Sequence, residues 1–140
     1  MSFLCKCHSG QKYEKCCKCF HDGALPKNAL QLMRSRYAAY ALQKVDYIIR
    51  TTHPANPHFK QNDTQWKNEI LFFCKKTEFQ HLKILEFIDG ECEATVTFLA
   101  CLSQNGEDVS FVEKSLFEKV NDQWLYKNGT IKNPESEEMS

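Results

Sequence analysis

No stretch of this 140-residue chain approaches the roughly 20 consecutive apolar residues that a membrane-spanning helix requires. The N-terminus offers only Phe3 and Leu4 before Lys6, so it lacks the apolar region of a secretory signal. Net charge is missing as well. Lys+Arg and Asp+Glu both number 18, which leaves no global field to draw in nucleic acid or an anionic membrane. No internal repeat is present. The first 24 residues hold almost no aliphatic side chains, and such a segment cannot offset its ordering entropy by burial alone. These absences predict a protein of the reducing cytoplasm with no membrane span and no nucleic-acid partner. The length predicts one domain, with room for a small appendage.

What the first 24 residues do hold is cysteine. Five of the eight cysteines lie within residues 1–20, and four read Cys5-x-Cys7-x8-Cys16-Cys17. In a reducing compartment, clustered thiols at this density hold metal rather than pair as disulfides. Four thiolates satisfy a tetrahedral Zn2+ ion, and a closed four-coordinate site implies a structural rather than a catalytic metal. Metal binding would then supply the ordering energy that burial cannot. Cys19, His8 and His21 are spare donors, any of which can take the place of Cys17 in this reading. Lys6, Lys12, Lys15 and Lys18 are expected to offset the site's formal charge of −2, Ser9-Gly10 to reverse the chain, and Tyr13 to plug the knuckle. Cys74, Cys92 and Cys101 are expected to behave as small core hydrophobes.

Past residue 24, helical periodicity comes first. Pro26 and Asn28 open a stretch with Leu30, Met33, Arg34, Tyr37 and Ala41 on one face. Asp46 starts a short helix through Tyr47, Ile48 and Ile49 that His53-Pro54 ends. A third helix begins at the capping cluster Asn62-Asp63-Thr64 and carries Trp66, Ile70, Phe73 and Thr77. Alternating segments follow: Leu82 to Ile88, Glu93 to Leu102 and Val109 to Val120, with turns at Asp89-Gly90, Asn105-Gly106 and Asn121-Asp122. A last strand starts at Trp124-Leu125-Tyr126 and is expected to close at Asn128-Gly129. Helices followed by an antiparallel meander make an α+β chain. The predicted units are a knuckle at 1–24, the α+β domain at 25–132 and a disordered acidic tail at 133–140.

The run Cys5-Lys-Cys7-His-Ser9-Gly10-Gln-Lys-Tyr13-Glu-Lys-Cys16-Cys17 resembles the SEC-C motif, the zinc knuckle at the C-terminus of the SecA translocation ATPase. There the last pair is Cys-His. Leu32-Met33-Arg34-Ser35-Arg36-Tyr37, the stretch from Asp46-Tyr47 to His53-Pro54, and the closing Trp124-Leu125-Tyr126 with Asn128-Gly129 look like the bacterial YchJ family. The resemblance spans residues 5–129. It implies an N-terminal knuckle followed by a cystatin-like cone similar to nuclear transport factor 2 and to the SnoaL-type cyclases. It also implies that Cys5, Cys7, Cys16 and Cys17 ligate zinc. Two positions depart from the family pattern, Lys6 for the usual Pro and His8 for the usual Gly; His enters the left-handed region more readily than most residues, so the turn is expected to survive.

Two functions follow as expectations. The first is a non-catalytic module that docks another protein through the knuckle, as SecA's knuckle is known to contact a chaperone, with a homodimer also compatible. The second is a small-molecule-binding protein, or an enzyme of the ketosteroid-isomerase-like acid–base kind, using a cone cavity. Tyr37, Tyr40, Asp46, His53, Glu113 and Tyr126 are the candidate pocket residues, with Tyr47 a further donor. Each has a plain structural alternative, since Asp46 caps a helix, His53 suits a helix C-terminus, and Glu113 can face outward. For Arg34 and Arg36, an ion pair with a carboxylate is expected. A cavity filled by Phe and Leu would exclude the second function; polar side chains converging in an open one would favour it.

Overall fold

The computed structural model describes residues 3–132. The predicted tail at 133–140 lies outside the described residues. The elements are a 3-10 turn at Tyr13–Lys15, helices α1 (Lys18–His21), α2 (Ala29–Leu42), α3 (Val45–Arg50) and α4 (Asp63–Lys76), and strands β1 (Glu78–Ile88), β2 (Glu93–Gln104), β3 (Glu107–Asp108), β4 (Phe111–Val120) and β5 (Gln123–Lys132). The sheet is antiparallel in the order β1-β2-β4-β5, with β3 paired to β2. Helices packed on one face of this sheet give the expected α+β cone.

Caps set the two long helices. The Asn28 side chain accepts from the Gln31 N–H at 2.9 Å, and the Asn62 side chain accepts from the Gln65 N–H at 3.1 Å. Each satisfies one of the donors that a helix start leaves unpaired. Along α4, Trp66, Ile70 and Cys74 recur every four residues and are the buried stripe. α2 departs from the predicted single face, because its buried residues run all around it: Ala29, Leu32, Met33, Ser35 to Ala39. The reason is that α2 is covered twice. Its front packs on the sheet, and Ala38 on its back packs against Cys5, Cys7 and Cys17 of the knuckle. Alanine there lets the two backbones come close.

β5 also corrects the prediction. It does not stop at Asn128-Gly129 but continues to Lys132, paired with β4 throughout. A bulge at Lys127 shifts the register: Phe117 faces Tyr126, yet Leu116 faces Asn128 and Ser115 faces Gly129. The extra residue puts Gly129, not Asn128, on the same face as Tyr126. The segment after α3 straps this point. Tyr126 N–H donates to Thr51 O at 2.9 Å, His53 N–H donates to Tyr126 O at 2.8 Å, and the Asn56 side chain donates to Lys127 O at 3.0 Å.

The core lies between α2, α4 and the concave sheet face. Trp124 and Phe117 are its largest fully buried side chains, each contributing roughly 1.5–3 kcal/mol by removal from water. Cys74 is buried as expected and Cys101 half-buried, whereas Cys92 is exposed, because it sits in the β1–β2 turn rather than in a strand.

Candidate functional site

The knuckle begins as a tiny hairpin. Cys5 N–H donates to Gln11 O at 2.8 Å and Tyr13 N–H to Phe3 O at 2.9 Å, and the chain reverses through His8 (φ 63°) and Gly10 (φ 89°). His8 thus adopts the left-handed conformation expected of it. The 3-10 turn then carries Cys16 and Cys17 back to the first pair. The four sulfur atoms of Cys5, Cys7, Cys16 and Cys17 lie within 4.8 Å of one another.

A tetrahedral tetrathiolate site with metal–sulfur bonds of roughly 2.3 Å has sulfur–sulfur edges of roughly 3.8 Å. Cys7 Sγ lies 3.6 Å from Cys16 Sγ, and Cys16 Sγ lies 3.9 Å from Cys17 Sγ. The donor set therefore fits a metal ion. Without one, the cluster supports little charge. Hydrogen bonds from Cys17 and then Cys5 hold the Cys7 thiol far below its ordinary range, and hydrogen bonds with Cys5 and then Cys7 push Cys17 far above it. A divalent cation removes that conflict.

Cys17, not one of the spare donors, completes the cluster. Cys19 is exposed, with its thiol on Cys16 O at 3.3 Å. The His21 ring is used on both nitrogens, with Nδ1 2.6 Å from the Tyr13 hydroxyl and Nε2 2.8 Å from Ser35 O. His8 packs edge-on against His81 and Tyr37. Tyr13 is not alone as the plug, since Phe3 stacks on it at 5.2 Å. Lys18 reaches Asp22, the residue that caps α1, at 2.6 Å, so its ion pair is with that carboxylate.

The knuckle is tied down by arginines. Arg34 donates to Cys7 O at 2.9 Å, and Arg50 donates to Phe20 O and His21 O. Neither Arg34 nor Arg36 makes the expected carboxylate ion pair among the described residues. Arg36 is 7% exposed, and its Nη1 donates to Ile48 O, Thr51 Oγ1 and Thr52 Oγ1. Its guanidinium lies 4.7 Å above the centre of the Tyr126 ring.

Beyond that ring the cone is open. A cavity of about 560 Å³ runs from an exposed mouth at His58, Lys60 and Glu69 to a floor at Ile48, Phe98 and Phe117. This volume falls among small-molecule sites, roughly 300–1,000 Å³. The walls include Met33, Tyr37, Ile70, Phe73 and Phe111, and the polar groups gather around Glu113. The Tyr126 hydroxyl donates to Glu113 Oε2 at 3.0 Å, and Ser115 Oγ donates to the same oxygen. Burial, then the Glu113 carboxylate, push the Tyr126 hydroxyl above its ordinary pKa, and burial does the same to Tyr37 and Tyr40. All three phenols therefore stay protonated at neutral pH.

Gly129 makes room for this group. A Cβ at that position would stand 2.6 Å from the Tyr126 hydroxyl oxygen and would overlap the Glu113 carboxyl.

Of the six candidate pocket residues, Tyr37, Tyr40, Glu113 and Tyr126 line the cavity. Asp46 does not. It sits exposed in the first turn of α3, where the cap is Lys44, and pairs with Lys67 at 3.2 Å. His53 is turned away by its place in the strap: Nδ1 accepts from Ala55 N–H, so Nε2 carries the proton it donates to Glu118 at 3.0 Å. Tyr47 is likewise off the cavity, its hydroxyl on Ser35 Oγ at 2.6 Å. Sequence reasoning missed Ser115 and Gly129, and expected of Arg36 only an ion pair. The signal available was the shared strand face of Glu113, Ser115 and Phe117.

No helix among the described residues is long and apolar enough to cross a membrane. Residues 28–129 match the family model of the YchJ middle domain, which is of the nuclear-transport-factor-2-like type. A UPF0225 protein of Serratia proteamaculans is 35% identical over 96% of this chain and 87% of its own length. Another, of Actinobacillus succinogenes, is 34% identical over 96% and 86%. The solution structure of a SEC-C motif containing protein from Rhodopseudomonas palustris superposes with a TM-score of 0.77 at 29% identity, covering 95% of this chain and all of that one. Knuckle, cone and sequence together make this chain a member of the YchJ family, UPF0225.

Proposed function

We propose that this protein binds a small molecule in the cone cavity, and that its cysteine knuckle is a structural zinc site bracing the helix that forms the cavity wall. The observation that carries this reading is the open 560 Å³ cavity itself. Phe and Leu side chains line it without filling it, and the Glu113, Ser115 and Tyr126 side chains converge at one point inside. Glu113 is half-buried there and makes no ion pair among the described residues, which leaves its carboxylate open to a ligand. Four thiolates favour zinc among the common divalent ions. They also require reduced cysteines, which supports a cytoplasmic setting.

The test is native mass spectrometry of the full chain purified without chelator. The expected result is one zinc per chain plus a low-mass adduct, or an adduct gained on incubation with a small-molecule extract. Loss of the adduct in a Ser115→Phe variant that still binds zinc would place the adduct in the cavity. An unchanged adduct in that variant would refute the cavity as its site.

Protein docking through the knuckle is a second reading, favoured by one observation: Leu4 is 66% exposed beside Phe3 at 44% on the knuckle's outer edge. A Leu4→Ser variant that keeps its metal but loses its co-purifying protein would support it; an unchanged set of interactors would dismiss it.

A further inference from the structure

We infer that the cavity's ligand is uncharged: an apolar, ring-bearing body whose inner end presents a hydrogen-bond donor to Glu113 and an acceptor to Arg36. This rests on the cavity being the ligand site. It follows from how charge and hydrogen-bonding capacity are distributed around Tyr126.

The two formal charges at the inner end have opposite sign and share one residue. Arg36 lies on the face of the Tyr126 ring, and Glu113 takes the hydrogen bond from its hydroxyl. They do not form a direct ion pair, so the interior holds a separated cation and anion with no net charge. At the mouth, Lys60 and Glu69 close on each other at 2.7 Å and balance as well. An anionic ligand would meet the Glu113 carboxylate, and a cationic one would meet the Arg36 guanidinium. At the inner end of the cavity, away from bulk water, either repulsion is screened less than at the surface. A neutral ligand meets no such conflict.

The open valences then fix the polarity of its head. Both hydrogen bonds to Glu113 go to Oε2. Oε1 receives none among the described residues, and it is not among their sealed polar atoms, a class that contains only Trp124 Nε1. A carboxylate oxygen with spare lone pairs facing a cavity accepts from an O–H or N–H group. Arg36 commits Nη1 to its three acceptors. A guanidinium carries five N–H donors, so Nε and Nη2 remain for the Tyr40 hydroxyl beside it and for a ligand carbonyl or ether oxygen. The body is dictated by the walls, where Tyr37, Phe73, Phe98 and Phe111 present aromatic surface.

Two fluorescent probes with one body separate the possibilities. N-phenyl-1-naphthylamine is neutral and carries a single N–H; 8-anilinonaphthalene-1-sulfonate is the same framework with a negative charge. In titrations of the metal-loaded full chain, the neutral probe is expected to bind at least about tenfold more tightly. Glu113→Gln keeps the shape but removes the anion, leaving Arg36 uncompensated, so that preference should fall by about tenfold or reverse. Amide chemical-shift mapping should place the probe at Tyr40, Phe98 and Ser115. Equal or tighter sulfonate binding by the natural chain, or a preference untouched by Glu113→Gln, overturns the neutral-ligand inference while leaving the cavity as a binding site. Failure of both probes to bind, or mapping elsewhere, overturns the cavity reading and this inference with it.

Discussion

Replacing Gly129 by alanine should destabilise this protein, against the usual trend for a strand glycine. In a strand interior, Gly→Ala ordinarily gains roughly 0.5–1 kcal/mol, since alanine loses less chain entropy on folding. At Gly129 the new methyl carbon would fall 2.5 Å from Glu113 Cδ and 2.6 Å from the Tyr126 hydroxyl oxygen. Glu113 must swing away, which breaks its bonds from Tyr126 and Ser115. Hydrogen bonds to a charged group are worth roughly 1.5–3 kcal/mol each, and a freed carboxylate recovers part of that in the cavity. The expected net effect is a loss of about 1–2 kcal/mol, read as a lower guanidinium midpoint with unchanged slope. The decisive control is the same substitution in a Glu113→Ala, Tyr126→Phe background. With nothing left to strike, Gly129→Ala should there gain about 0.5–1 kcal/mol. If the substitution stabilises the natural chain as much as that background, Gly129 does not hold space for the carboxyl–hydroxyl pair and the site geometry is wrong.

Chelation of the metal should cost the knuckle its order and part of the stability of α2, because Ala38 packs on the cysteine cluster; a thermal transition unmoved by a strong zinc chelator would contradict this. Arg34→Met, which removes the bond to Cys7 O, should lower stability by about 0.5–1.5 kcal/mol and speed zinc transfer to a chromogenic chelator. Equal transfer rates would show that Arg34 does not brace the site. Lys127, and after it His53, hold Glu118 below its ordinary carboxylate value of 4.5. Its contribution to stability is therefore complete above that pH and lost as pH falls through the lowered value. Denaturation midpoints across the acid range should show a shallower acid limb in Glu118→Gln, and superimposable limbs would refute the pairing.

The cysteine cluster was legible because its four thiols lie within thirteen residues, so spacing alone brings them together. The helix starts were legible for the same local reason, each carrying its own Asn cap. The cavity was not, since it joins residues from α2, α4, β2, β4 and β5, far apart in sequence. Alternation could not place Glu113 inside or outside until Phe117, fully buried two registers away, fixed the phase of β4. Asn128-Gly129 carries the local chemistry of a turn, and pairing with β4 overrides it. Asp46 and His53 were sound polar candidates by type, and their exclusion comes from helix phase and from the strap, neither of which is written locally. Arg36 was read as an ion-pair partner because a buried guanidinium resting on threonines and a tyrosine ring has no pattern in sequence.

The two-sided burial of α2 limits how the molecule can be divided. A fragment trimmed to residues 28–129 would lay bare the alanine flank of that helix and free Arg34 and Ser35 O from their N-terminal partners. The cysteine arm therefore behaves less like a tethered module than like a keystone. Excising it should yield a sticky, loosened remnant rather than a clean miniature of the fold.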